Sequence, residues 1–302
     1  MSEFFSDLRS ILGLGMLKRV GQKALDDDCL GLAGQLAYFV LLSLFPLLMS
    51  LVALGGLAID DPESVLETFA ERMRGFLPED AVGLLVDYVD RTLRSRPPGA
   101  LFFAVLLTLG SGSAVSQAVI KAANRAYEVR ETRPFRKVWG LSVLMILGFA
   151  LLVAALTLVT FSPEIASYVQ GLTGLPDAFL APWGVLRLVL AFLAVTLALA
   201  LLYYLAPNAG LPFKWITPGG FVATVLMLLF SLALNLYVAK VGRYDQVYGQ
   251  LGAVVVLMLW LYVTGLTVLI GMEMNAVLAR MAEERKGVEL VQEEGSANET
   301  DA

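Results

Sequence analysis

A chain of 302 residues that is 58% hydrophobic and 16% charged, with a mean hydropathy of +0.73, has too little charge to clothe a soluble globule. Soluble domains hold about 25% charged residues, so the bilayer is the expected solvent. Histidine is absent and Cys29 is the one cysteine, which removes imidazole chemistry, disulfide frameworks and most metal sites, while a net charge of −5 argues against a nucleic-acid partner.

Residues 1–31 lack the compact apolar stretch of a secretory signal and end in the acidic run Asp26-Asp27-Asp28. Within them Phe4, Phe5, Leu8, Ile11, Leu12 and Leu17 are interspersed with Arg9, Lys18, Arg19 and Lys23, a pattern that predicts a helix on the membrane surface. Six runs are then long and apolar enough to cross a hydrocarbon core of about 30 Å as helices. They are 32–59, 100–120 with a helical continuation to 127, 138–161, 183–205, 218–239 and 251–279. Pro46 leaves the Leu42 carbonyl without its usual donor and predicts a bend in the first span. Residues 60–98 hold nine acids against five bases and two amphipathic stretches, 62–76 and 78–93, each opening on a proline. Val82, Leu85, Val86, Val89 and Leu93 share one face of the second stretch. The short link between the fourth and fifth spans, with Trp215 as an interface anchor, makes those two spans antiparallel neighbours. From Glu283 onward seven acids accompany Gly, Ser and Asn, the composition of a disordered tail.

With six spans, fourteen of the 22 Lys and Arg fall on the side of both termini, which the positive-inside rule makes cytoplasmic. The expected fold is an all-α integral membrane protein: a six-transmembrane-helix bundle with a small helical extracytoplasmic cap. Residues 1–31 are a cytoplasmic segment with an interfacial helix. Residues 32–281 form the membrane domain, with 60–98 as the cap, and 282–302 form the acidic disordered cytoplasmic tail.

Polar groups inside a membrane are expensive and mark functional candidates. In the second span Gly110, Ser113, Gln117, Lys121 and Asn124 recur every three or four residues and share one face. Close packing through small residues and a polar pathway both fit that stripe. Glu273 and Asn275 stand near the cytoplasmic end of the sixth span, at a depth where Glu273 is expected to pair with Arg125 or Lys121; snorkelling of the two cations is the alternative. Gln35 and Tyr38 in the first span and Tyr248 before the sixth complete the set. The candidates for a substrate pathway or polar interior are thus Gln35, Tyr38, Ser113, Gln117, Lys121, Asn124, Arg125, Tyr248, Glu273 and Asn275. No residue is assigned a catalytic or metal-binding role, and no cofactor is expected.

Several short motifs occur in an order that resembles the YihY/virulence factor BrkB family of bacterial inner-membrane proteins. They are Leu36-Ala37-Tyr38-Phe39 with Leu42-Ser43-Leu44-Phe45-Pro46, Asn124-Arg125-Ala126-Tyr127 with Arg133, and Tyr204 with Pro207. Trp215 with Pro218-Gly219, Tyr248-Gly249-Gln250-Leu251-Gly252 and Gly271-Met272-Glu273-Met274-Asn275-Ala276 follow. The resemblance implies a six-span protein of the cytoplasmic membrane, linked to the cell envelope and described as a transporter, including of envelope lipids. It also carries the older label ribonuclease BN, which a chain without histidine and with dispersed acids does not support.

The expected function is therefore not enzymatic. A transporter or exporter, flippase-like and acting on a lipid or anionic envelope precursor, is the first reading. The basic cluster Lys121, Arg125, Arg130, Arg133, Arg136 and Lys137 suits anionic head groups, although it also serves orientation. A non-transporting scaffold for envelope biogenesis is the alternative. Membrane lipids are the expected partners, nucleic acid is not, and no ATP-binding P-loop is present. Gly55-Gly56 and Gly110 to Gly112 suit self-association and internal packing alike.

Overall fold

The structure, a computed structural model, describes residues 14–55, 67, 70–71, 79–95, 99–160, 183–241 and 252–300. Eight helices occupy them: α1 (Leu14–Asp26), α2 (Cys29–Gly55), α3 (Glu79–Ser95), α4 (Ala100–Ala126), α5 (Phe135–Thr160), α6 (Trp183–Leu205), α7 (Pro218–Val241) and α8 (Gly252–Thr300). There is no strand among the described residues. Six helices contain segments long and apolar enough to cross a membrane: Cys29–Ser50, Phe102–Ala126, Phe135–Leu156, Val185–Leu205, Pro218–Tyr237 and Gly252–Glu284. The protein is a multi-pass helical membrane bundle.

The spans pack as a ring in chain order. α2 lies on α4, α4 on α5, α5 on α6, α6 on α7, α7 on α8, and α8 returns to α2. Since apolar burial distinguishes poorly between helix and lipid, hydroxyl groups and small residues hold such seams. Ser50 and Thr108 meet at 3.2 Å between α2 and α4, and Ser116 donates to the Ser142 carbonyl at 3.4 Å between α4 and α5. Thr196 and Thr224 meet at 3.2 Å between α6 and α7, where the Phe192 and Phe221 rings also contact edge-on, so these spans are the expected neighbours. Trp260 Nε1 donates to Ser231 Oγ at 3.1 Å between α8 and α7. α7 crosses α8 closely: a Cβ on Gly219 would overlap the Gly271 carbonyl oxygen. Beside it the fully buried Tyr203 donates its hydroxyl to the Val268 carbonyl at 2.7 Å.

The main core gathers at the end of the ring where α1 lies, here the α1 end. Cys29, Ala33 and Leu36 of α2 meet Ala118, Ala122 and Ala126 of α4, Leu199 and Tyr203 of α6, Ala223 of α7 and Leu269, Met272 and Ala276 of α8. At the opposite end α3 covers α2 and α8 through Ala81, Val82 and Leu85 against Ala37, Leu257 and Leu261. That is the amphipathic face expected for the second cap helix; the first stretch, 62–76, lies mostly outside the described residues. Pro46 sits within an unbroken α2, and Ser50 Oγ donates to its carbonyl at 2.9 Å.

α1, the helix expected at the membrane surface, packs Met16 and Val20 against Met274 and Val277 of α8 and leaves Leu17 exposed. The apolar positions that mattered were those matching the α8 surface; residues 4–12 lie outside the described set. From 282 onward the backbone continues α8 to Thr300.

Candidate functional site

The turn between α1 and α2 builds the site. Asp28 takes the left-handed conformation at φ 55°, its N–H reaching the Leu25 carbonyl at 3.1 Å and its Oδ1 accepting the Gly31 N–H at 3.2 Å. One residue thus ends α1 and caps α2, a task for which Asp is suited because its short side chain tolerates that conformation. The turn drops Asp27 into the junction of α2, α4 and α8, where it is 8% exposed and faces the carboxyl group of Glu273, which is 2% exposed. Cys29 Sγ donates to Glu273 Oε1 at 3.7 Å.

A layer of cations surrounds the acids. Arg125 Nε stands 3.5 Å from Asp27 Oδ1, and its Nη2 donates to the Asp26 carbonyl at 3.2 Å. Lys23 Nζ lies 3.1 Å from Asp27 Oδ2 and donates to Glu128 Oε1 at 2.6 Å. Arg280 pairs with the same Glu128 oxygen at 2.9 Å and donates to the Ala126 carbonyl at the end of α4. Burial works against the Lys23 ammonium, but its hydrogen bonds to Glu128 and Asp27 prevail and hold it above its ordinary pKa. The hydrogen bond from Lys23 and the charge of Arg280 hold Glu128 below the usual carboxylate range. Burial pushes the neighbouring Tyr127 hydroxyl up to about 12.

The expected pairing of Glu273 with Arg125 or Lys121 is corrected. Among the described residues Glu273 has no ion pair with either; Arg125 is engaged by Asp26 and Asp27, and Lys121 is exposed. The depth argument placed the groups at one level but had no means of inserting Asp27, from outside the span, between them.

The other candidates divide into clamps and an exposed face. Asn124 donates to Glu131 Oε2 and accepts the Asn208 N–H, both at 2.8 Å, which ties the α4–α5 loop to the α6–α7 loop. Arg133 grips both oxygens of Glu131, at 2.8 and 2.6 Å, and donates to the Leu205 and Ala206 carbonyls at the end of α6. Those bonds hold the Glu131 carboxyl down at about 2. Asn275 accepts the Gly219 N–H at 2.8 Å and donates to Thr217 Oγ1, which itself caps α7 by accepting the Gly220 N–H. Asn124 and Asn275 thus clamp loops and helix ends together.

Ser113, Gln117, Lys121 and Arg125 run along one side of α4, with Gln117 Nε2 donating to Ser113 Oγ at 3.1 Å. Gln117, Lys121 and Arg125 are exposed, whereas Ser116, Ala118, Ile120 and Ala122 beside them are buried. Ala33 and Leu36 share the core with Ala118 and Ala122, so Gln35 and Tyr38 stand level with the stripe, and both are exposed on α2. These five exposed side chains do not form a packed polar interior. Tyr248 lies outside the described residues. Sequence reasoning missed Lys23, Asp27, Glu131, Asn208 and Arg280 as site residues and took Arg133 as part of a basic cluster; an acid directly before an apolar run, as Asp27 is, was the available signal.

The profile of the family described as virulence factor BrkB matches residues 20–294. The chain belongs to the virulence factor BrkB family. The BrkB chain is 34% identical over 251 residues to the "Putative ribonuclease-like protein YfkH" of Bacillus subtilis, covering 82% of the chain and 88% of the relative. It is 30% identical over 265 residues to a "UPF0761 membrane protein" of Alkalilimnicola ehrlichii, covering 86% of the chain and 57% of that protein. Another "UPF0761 membrane protein", of Vibrio campbellii, is 28% identical over 281 residues, covering 89% of the chain and 83% of the relative. No solved structure matches it.

Proposed function

We propose that this BrkB-family protein is a transporter or exporter of the bacterial inner membrane, flippase-like in action, that moves a lipid or anionic envelope precursor. Both termini are cytoplasmic in this reading, so the α1 end faces the cytoplasm. The observation that carries the reading is the polar stripe of half-buried Ser113 and exposed Gln117, Lys121 and Arg125 on α4, level with exposed Gln35 and Tyr38 on α2. Polar and charged side chains at span depth are costly when they face hydrocarbon and useful when a head group slides along them. The stripe ends at Arg125 and the basic α4–α5 loop, where anionic head groups collect.

The reading is not enzymatic. The chain has no histidine to act as a general base, and Asp27, Glu128 and Glu131 are committed to Lys or Arg side chains.

The test is translocation of fluorescent anionic and zwitterionic lipids in liposomes holding the purified full chain. Movement above that of protein-free liposomes is expected, anionic lipid ahead of zwitterionic. Lys121→Ala with Gln117→Leu should slow it about tenfold, equivalent to about 1.4 kcal/mol of lost interaction. No movement of either lipid, or full movement in the double variant, would count against the reading.

A further inference from the structure

We propose that Asp27 and Glu273 together form a proton-binding site, one proton being shared between the two carboxyl groups. Glu273 Oε2 is buried without a hydrogen-bond donor, and Asp27 Oδ2, also buried, has the Lys23 ammonium beside it at 3.1 Å. From α1, the Lys23 ammonium, with three donors, stands 3.1 Å from Asp27 Oδ2 and 2.6 Å from Glu128 Oε1. From α2, the Cys29 thiol serves Glu273 Oε1, the other oxygen of that carboxyl. From α4, Arg125 faces Asp27 Oδ1, and Tyr127 beyond the helix end is the remaining titratable neighbour. Two carboxylates have acceptors only and cannot satisfy one another. One added proton makes an O–H donor of one and leaves the other as its acceptor, so a single proton joins the two carboxyl groups and answers the orphaned Glu273 oxygen. Charge points the same way. Lys23, Arg125 and Arg280 reach Asp27 and Glu128, and among the described residues none forms an ion pair with Glu273. Two like charges sharing one buried site are the arrangement in which a proton belongs to the pair rather than to either residue.

The site joins α1, α2 and α8 where the ring is packed shut. Loss of the proton leaves Glu273 as a buried charge with no ion-pair partner beside the Asp27 carboxylate, and works to part that junction. On the transport reading, on which only this step rests, proton binding from the α1 side drives the opening and closing of that end.

Infrared titration of the full chain in lipid nanodiscs tests the site. The wild type should show a protonated-carboxyl C=O band that shifts in heavy water and persists at about pH 6, above the ordinary carboxylate range of about 4. It should vanish on further alkalinisation. Asp27→Asn and Glu273→Gln, in which an amide N–H replaces the proton as donor, should each lack it. Absence of the band from the wild type, a measurement that needs no variant to fold, overturns the site, as does a band unchanged in both variants. Lipid movement without the band overturns the site and keeps the transport reading; the band without lipid movement keeps the site and overturns transport.

Discussion

Arg133 joins the α4–α5 loop to the end of α6 with one side chain. Its guanidinium satisfies Glu131 and the carbonyls that α6 leaves unpaired at its end. Arg133→Ala strands these acceptors and should lower stability by about 2–3 kcal/mol, read from the thermal unfolding of the detergent-solubilised protein. Glu131 supplies the pH dependence. Its carboxyl falls from an ordinary 4.5 to about 2 in the folded protein through its bonds to Arg133. A depressed folded-state pKa contributes stability above the ordinary value and loses it as pH falls through the range between the two. The melting temperature should therefore decline with acidification from about 4.5 toward 2, and Glu131→Gln should flatten that decline. At the crossing of α7 on α8, Gly271→Ala puts a methyl 2.5 Å from the Gly219 carbonyl oxygen and should cost about 2 kcal/mol or more, whereas Gly148→Ala enters open space. Thermal melts of the two variants side by side check this. At this scale Asn124, Glu273 and Asn275 were legible as polar groups too deep to be idle. Their partners were not, because Glu131, Asn208, Asp27 and Thr217 arrive from loops and caps whose paths hydropathy does not describe.

Helices were legible where one periodicity governed them. The apolar face of α3 followed from the spacing of Val82, Leu85 and Val89, because a 3.6-residue period admits one buried side. α1 has the same kind of amphipathic pattern, but its burial against α8 depends on a surface that exists only once the bundle forms. Val20→Asp should undock it, since a lone carboxylate in that seam would be desolvated without a partner. The sole cysteine, Cys29, buried just beyond α1, reports the event: its labelling by a water-soluble maleimide should rise several-fold in the variant, and an unchanged rate would show that α1 is not the cover.

For the whole molecule, an even number of spans places the α4–α5 loop and α1 on one side and α3 on the other. With Cys29 replaced by alanine, single cysteines at Leu17 and Arg130 should be labelled from the same side of sealed vesicles, and a cysteine at Asp87 from the other. The six spans were determined by sequence alone, because a hydrocarbon core imposes the length and apolarity of any helix that crosses it. That constraint acts on each segment separately, so it can be read locally. It is silent about the order of packing, since leucine finds lipid and a neighbouring helix nearly equivalent. The ring, the glycine crossing of α7 on α8 and the meeting of Asp27 with Glu273 were decided only in three dimensions. There, shape and the pairing of the few polar groups separate one arrangement from the many that hydropathy allows.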